Sequence, residues 1–377
     1  MSKINFAAII LLIINFLFTY KYASRVSEFG FYIAFLIALF QFLVWKFESR
    51  IKISNRIITM TMYFLLVFLI GFVVICHYYI PKETLNVDRW SVITSFIDTA
   101  YNGNYPYSAV SHLGNPPGPM PFYFVIALPF YIINNLSLLS FLGYAIIILL
   151  IIRKLRSNHK LIFSSVFLIT STFMYWEIAA RSNIFTYSIL IVLVLLGFEK
   201  LQKDHLSFKF FNLAFLTGLL LATRSVFILA YVIFFLSSLF NNNINFKKLL
   251  IYTGVAFIGF IIAFLPILFF FKEEFIELNP FIIQSTFLVP KYYVLVFLLI
   301  SILFSFFVNN SSDKFFYSGL SLFLAITIYS SYHLINSGYQ LAFVKSIIDI
   351  SYFLFCIPFF MIFILQNSKL NNQKTSV

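Results

Sequence analysis

PMPFYFVIALPFYIIN, residues 119–134, is apolar enough to enter a membrane, yet Pro119, Pro121 and Pro129 interrupt it. Whether this segment crosses decides the side on which every later loop falls. The chain around it has 377 residues, 61% of them hydrophobic and 10% charged. A soluble domain carries about 25% charged residues, so the composition is that of an integral membrane protein. Its fold class is all-α and polytopic, because a helix satisfies its own backbone in lipid.

A crossing needs roughly 17–25 apolar residues. Apolar runs fall at 4–20, 29–46, 57–80, 136–153, 160–176, 183–198, 210–223, 225–240, 249–271, 291–308, 315–333 and 345–365. The first run, in KINFAAIILLIINFLFTY, is followed by no small-residue cleavage site and reads as a retained helix. A full crossing by 119–134 would put the basic loop RKLRSNHK (153–160) on the same side as the acidic loop 81–118. A half-helix or re-entrant piece sorts the charges better. Seventeen of the 26 basic residues then lie on one side, with Lys3, Arg50, Arg56, Arg153, Lys200, Lys248 and Lys314 among them. Basic loops stay cytoplasmic. The expectation is about twelve transmembrane helices plus one half-helix in a single domain over 1–377, with both termini cytoplasmic; thirteen full crossings is the alternative.

The net charge of +13 follows from that sorting and needs no nucleic acid. Cys76 and Cys356 lie inside apolar runs, so neither a disulfide framework nor a metal spacing is present. Gly-rich phosphate loops, nucleophile elbows and His-x-x-x-His pairs are absent. Richness in Phe, Ile, Asn, Lys and Tyr suggests an AT-rich, bacterial genome and an inner membrane.

The outer side then holds 81–118, the 177–183 turn, the Arg224–Ser225 corner, 272–290 and 334–344, and 9 of the 13 acids fall outside or at the outer ends of helices. In VDRWSVITSFIDTAYNGNYPY (87–107), helical periodicity predicts a short amphipathic helix at about 89–102, lying at the membrane surface. Asp88 is placed to cap it, and Asp98 falls on its polar face. HLGNPPGPMP (112–121) bars helix until after Pro121 and reads as a stiff connection back into the membrane. In WEIAARSNI (176–184), Glu177 and Arg181 stand four apart and can pair on a helix. Arg224 interrupts a long apolar stretch, where a charge costs about 2.5–3.5 kcal/mol at a helix centre. A helix break there would bring it to the interface, where it either snorkels or binds an anion. KEEFIELNP (272–280), with Glu274, reads mainly as a solvated end. His77, His333 and Gln340 carry weaker signals.

Asp88-Arg89-Trp90, then Gly103-Asn104-Tyr105-Pro106-Tyr107, then Asn115-Pro116-Pro117-Gly118 entering an apolar helix resembles the first outer loop of the GT-C glycosyltransferases. The likeness is to their polyprenyl- or dolichyl-phosphate-sugar-dependent, mannosyltransferase-like branch, and it covers 88–134. It implies a GT-C-like fold, an extracytoplasmic catalytic Asp88, and inverting transfer of a sugar from a polyprenyl-phosphate donor to a hydroxyl of a glycan, lipid or protein in the cell envelope. It further implies donor-phosphate binding by Arg181 and Arg224, and substrate contacts from Arg89, Asp98, Tyr107, His112, Glu177, Asn183 and Glu274. A divalent ion, Mg or Mn, serves many relatives through a paired-acid motif; here Asp88 stands without a second acid beside it, so no metal ligand is assigned. The rival readings are a polysaccharide polymerase or O-antigen ligase, and a lipid or solute transporter such as a flippase.

Overall fold

The computed structural model describes residues 2–156, 161–203, 205–281, 289–290, 292–344 and 348–367. His159, Lys160, Lys369 and Lys374, expected on the basic side, lie outside these residues. Among the described residues every element is helical. In chain order they are α1 (Lys3–Ala23), α2 (Gly30–Phe47), α3 (Asn55–Tyr79), α4 (Arg89–Tyr101), α5 (Pro121–Ile132), α6 (Ser137–Leu155), α7 (Ile162–Ile169), α8 (Thr172–Ala179), α9 (Ile184–Leu201), α10 (Phe208–Leu221), α11 (Ile228–Phe240), α12 (Phe246–Phe270), α13 (Lys272–Glu277), α14 (Tyr292–Phe306), α15 (Ser311–Tyr339, kinked at Gly338) and α16 (Ile357–Asn367). Eight helical stretches are long and apolar enough to cross a membrane, or nine if α7 and α8 form one bent span. The protein is therefore a polytopic, membrane-embedded helical bundle.

Burial sorts the helices. α9 and the stretch Ile350–Asn367 are mostly enclosed by protein, whereas α2, α3 and α12 turn rows of Phe, Leu and Ile outward. A soluble protein rarely exposes contiguous apolar patches beyond a few hundred Å²; in lipid such faces cost nothing. Helix contacts rest on small residues, as expected where apolar surface alone gives no preference for protein over lipid. A Cβ on Gly218 of α10 would sit 1.7 Å from the Ala256 carbonyl oxygen of α12. One on Gly259 of α12 would sit 2.3 Å from that of Phe215. The two backbones pass at a distance only glycine allows.

The sequence singled out 119–134 as interrupted by its prolines; in the structure α5 starts at Pro121, as the proline pattern requires, and runs on through Pro129. A break lies elsewhere, in the 42° bend between α7 and α8, where no proline or glycine stands. Side chains of the first hairpin meet the backbone and hydroxyl groups at this bend. Gln41 donates to the Thr170 hydroxyl (2.8 Å), Asn15 accepts from the Thr172 N–H (3.2 Å), and the Thr19 and Thr172 hydroxyls share a hydrogen bond (2.7 Å). Broken backbone at membrane depth is tolerated where protein satisfies it.

The elements sort into two ends. At one, Arg181 donates to the Ile80 carbonyl (2.9 Å), Met120 and Phe122 N–H donate to the Thr223 and Ala222 carbonyls (both 3.0 Å), and the Tyr105 hydroxyl donates to the Leu278 carbonyl (2.8 Å). At the other, Lys3 pairs with Asp313 (2.9 Å), Lys314 pairs with Glu199 (2.6 Å), and Phe163 N–H donates to Glu48 (3.0 Å). The first end gathers the loops grouped as the outer side by charge.

One expectation about α4 is corrected. Its apolar residues Trp90, Val92, Ile93 and Phe96 are buried in protein, with Phe96 stacked on Phe124 of α5 at 3.5 Å between centroids. The hydrophobic face meets α5 and the 105–107 segment instead of lipid, so α4 is part of the bundle's roof.

Candidate functional site

Asp88 precedes α4, but its side chain makes no capping bond to that helix. The capping expectation is thereby corrected: only the Asp88 carbonyl serves α4, accepting from the Val92 N–H at 2.8 Å. The carboxylate turns to the proline-rich loop. Its Oδ2 accepts from the Ser111 hydroxyl (2.9 Å) and from Asn115 Nδ2 (2.6 Å).

Arg89, next in sequence, is buried and forms a salt bridge with Asp349, beside the start of the last enclosed stretch. It also donates to the Ser351 hydroxyl (2.7 Å). Burial works against the charge on both partners. The pair overcomes it: Asp349 raises the Arg89 pKa, and the Arg89 guanidinium, helped by bonds from Ser351, holds the Asp349 carboxyl below the usual range.

Arg89 faces the ring of Tyr352 at 5.4 Å, and Tyr352 stacks on Phe355 at 5.8 Å. Arg224 faces Phe355 at 5.9 Å and Tyr123 at 5.4 Å. The two guanidinium groups thus stand against the two members of one aromatic stack. A cation over a ring face is held without its charge being neutralised. The chain breaks at Arg224, as its position between apolar runs required: α10 ends at Leu221, Arg224 is extended (φ −150°), and helix resumes at Ser225. Among the described residues no carboxylate pairs with Arg224. Tyr123 reaches both Arg224 and Asn183, donating its hydroxyl to Asn183 Oδ1. Asn183 is fully buried, and its Nδ2 has no acceptor; nor has Arg89 Nε. Asp88, Arg89, Arg224 and Asp349 all lie within electrostatic reach of the Tyr352 hydroxyl.

The other sequence candidates lie around this cluster or apart from it. Arg181 and Glu177 do not pair. Glu177 is fully buried and accepts from the Tyr144 hydroxyl (2.7 Å), the Ser182 hydroxyl (2.8 Å) and the Ile184 N–H (2.9 Å), which fixes the start of α9. Arg181 occupies a left-handed backbone position (φ 52°), strained for a side-chain-bearing residue. Burial pushes its pKa down, and it borders a recess with Lys82, Trp90, Thr94 and Tyr131 of about 20 Å³, room for about one water. Asp98 sits ten residues along α4, about 15 Å from Asp88, where it is exposed and accepts from the Tyr131 hydroxyl. Tyr107 is buried, donating to the Pro119 carbonyl (3.0 Å). His112 stacks on Trp90 (5.1 Å) and bonds Ser91 (2.6 Å), bracing the loop against α4. Glu274 is exposed on α13; with burial, its charge raises the Tyr105 pKa.

Asp349, Ser351, Tyr352, Tyr123 and Ser111 are members that the sequence reading passed over. One signal was available for Asp349: an acid inside the apolar run 345–365 is unusual enough to mark function. A divalent ion does not fit this arrangement. Asp88 Oδ2 is already occupied by two donors, Asp349 is tied to Arg89, and among the described residues no three of His, Cys, Asp and Glu gather. Comparison with protein-family models, curated proteins and solved structures returned no match.

Proposed function

We propose that the protein is a GT-C-like membrane glycosyltransferase that moves a sugar from a polyprenyl-phosphate donor to an acceptor hydroxyl, with inversion. The reading rests on one arrangement: a partly exposed acid, Asp88, at the same end of the bundle as two arginines held on an aromatic stack, one of which has no carboxylate partner among the described residues. Asp88 Oδ1 takes the proton of the attacking hydroxyl, a general-base contribution of about 10²–10⁴-fold. The oxygen attacks the anomeric carbon as its bond to phosphate breaks. The phosphate departs as an anion toward Arg224 and Asn183 Nδ2, whose geometry suits oxygen acceptors. Arg89 holds the roof in place. Arg181, bound to a carbonyl beside a water-sized recess, is given no phosphate role.

In this reading α10, α11, α14 and the bent pair α7–α8 cross along with the eight longer stretches, giving twelve crossings, and α5 is the half-helix. The end with Lys3, Arg50, Lys200 and Lys314 faces the cytoplasm of a bacterial inner membrane; the Asp88 end faces outward. The bent pair α7–α8 is the one feature that favours a transporter, since such folds use broken spans near the midplane. The polar groups at its bend are bonded to one another, whereas the unpartnered nitrogen donors among the described residues are at the Asp88 end.

The deciding experiment is sugar transfer by the purified protein in lipid, with a panel of polyprenyl-phosphate sugars and Asp88→Asn in parallel. Transfer or donor hydrolysis that vanishes in the folded variant supports the class and the base together. Flipping or uptake in vesicles with no turnover on any donor replaces the reading by transport.

A further inference from the structure

We infer that the loop Ser111–Asn115 is a two-donor fork that positions Asp88, and that Ser111 and Asn115 are positioning residues for its chemistry. The inference rests on the transferase reading for its catalytic consequence, but not for its geometry. Both donors converge on one oxygen, Oδ2, through the Ser111 hydroxyl at 2.9 Å and Asn115 Nδ2 at 2.6 Å. Two bonds on one oxygen fix the carboxylate plane and leave Oδ1 turned away from the loop.

The fork is built before it meets Asp88. The Ser111 N–H donates to the Asn115 carbonyl and the Gly114 N–H to the Ser111 carbonyl, both at 2.9 Å. The Asn115 N–H donates to the Ser111 hydroxyl oxygen at 3.1 Å. Gly114 takes a left-handed conformation (φ 82°) that closes the loop. Pro116 and Pro117 follow and stiffen its exit. The loop is then pinned to α4: the His112 N–H meets the Ser91 hydroxyl at 3.3 Å, and the His112 ring bonds Leu85 at 3.0 Å. Thus α4 and the loop, the two structures that flank Asp88, are locked to each other as well as to the acid. A rigid support of this kind keeps a reacting group within the few tenths of an ångström that catalysis needs.

The fork has a geometric test and a kinetic one. In Asn115→Lys protein, a water-soluble carbodiimide should close an amide between positions 88 and 115, read by peptide mass spectrometry; Asn104→Lys, at the far end of α4, is the control. Failure at 115, or equal coupling at 104, overturns the fork whatever the protein's activity. Asn115 is exposed, so Asn115→Leu should fold. It should lower kcat about 10²-fold, the order expected of a 1 Å misplacement, with donor KM unchanged. Ser111→Ala should behave alike, Ser111→Thr should recover most of the rate, and Asp88→Asn/Asn115→Leu should be no slower than Asp88→Asn alone. Cross-linking with an unchanged kcat in Asn115→Leu overturns the positioning role. Cross-linking in Asn115→Lys beside a wild-type protein that turns over no donor overturns the transferase reading, and the catalytic role with it.

Discussion

The two ends of the bundle both pair buried charges but differ in the nitrogen donors they leave over. At the Lys314 end each buried charge closes on a partner: Lys314 on Glu199 (2.6 Å) and the Ser238 hydroxyl (2.5 Å), Asp313 on Lys3 (2.9 Å) and the Asn309 N–H (3.2 Å). At the Asp88 end donors are left over. Among the described residues, the buried side-chain nitrogens without a partner are Arg89 Nε, Trp90 Nε1, Arg181 Nη1 and Asn183 Nδ2, and all four are there. Buried donors without acceptors are rare in native proteins and call for a ligand or water. Ser165, Ser318 and Gln366, toward the Lys314 end, each leave one neutral oxygen without a partner, but the spare nitrogen donors gather at the Asp88 end, which suits an anion.

The strongest way to break this contrast is to exchange the consequences. Glu199→Gln leaves Lys314, 1% exposed, without its counter-charge. Stability should fall by about 3–5 kcal/mol, read by thermal denaturation in detergent, with the turnover of surviving protein unchanged. Arg224→Gln should do the reverse, lowering kcat/KM by about 10²–10³-fold, as loss of an anion-stabilising donor does, at an unchanged melting temperature. If Arg224→Gln unfolds the protein instead, the Asp88 end is as structural as the other.

A test of what holds that end rigid comes next. Gly218 lies one turn before the Ala222–Thr223 segment that bonds Met120 and Phe122. In Gly218→Ala the new methyl group would meet the Ala256 carbonyl, which is helix backbone and cannot swing aside. Overpacking costs about 1–3 kcal/mol, so the yield of folded protein should drop, and residual protein should lose activity through the displaced Arg224 corner. Gly254 has open space around it, and Gly254→Ala should leave both unchanged.

How far the contrast was legible in the sequence depends on the range of each interaction. Features set by neighbouring residues were readable. The prolines placed the start of α5, charge between apolar runs placed the break at Arg224, and periodicity placed α4 within a residue of its ends. Features set by distant partners were not. Arg89 and Asp349 are 260 positions apart. The bend between α7 and α8 is satisfied by Asn15 and Gln41, whose only trace is that each is polar in an apolar helix. Periodicity told which face of α4 is apolar, but not that protein, and not lipid, covers it. Asp88 was picked out for its type and loop, while the fork that holds it depends on a hairpin closure that spacing does not reveal.

Acid should sharpen the contrast from the side of Asp349. Its folded pKa is depressed by Arg89 against the opposing effect of burial, so its contribution to stability is present above the unfolded value, about 3.9, and lost as pH falls through the lower folded value. About a third of the Asp349 side chain is exposed, so the contribution is discounted to about 1–2 kcal/mol from the 3–5 of a fully buried pair. Wild type should exceed Asp349→Asn in melting temperature equally at pH 8 and pH 5, and the gap should close below about pH 3.9. A gap that closes near neutrality would assign the effect to another group.

The smallest expected effect separates the two ways Tyr123 serves the site. Its hydroxyl joins Asn183 to Arg224, and its ring both stacks on Tyr187 at 4.0 Å and faces the Arg224 guanidinium. Tyr123→Phe removes the hydroxyl and keeps both ring contacts. It should cost about 1 kcal/mol of stability and raise donor KM by no more than about threefold, because the ring still presents Arg224. Tyr123→Leu removes the ring face as well, a cation–π contribution of about 0.5–2 kcal/mol, and should raise KM by about tenfold more. If Phe is as harmful as Leu, the hydroxyl aims Arg224, and the spare donors of this end depend on a single hydrogen-bonded chain. If both are neutral, Arg224 is presented by Phe355 alone, and the donor phosphate lies on the Tyr352–Phe355 side of the site.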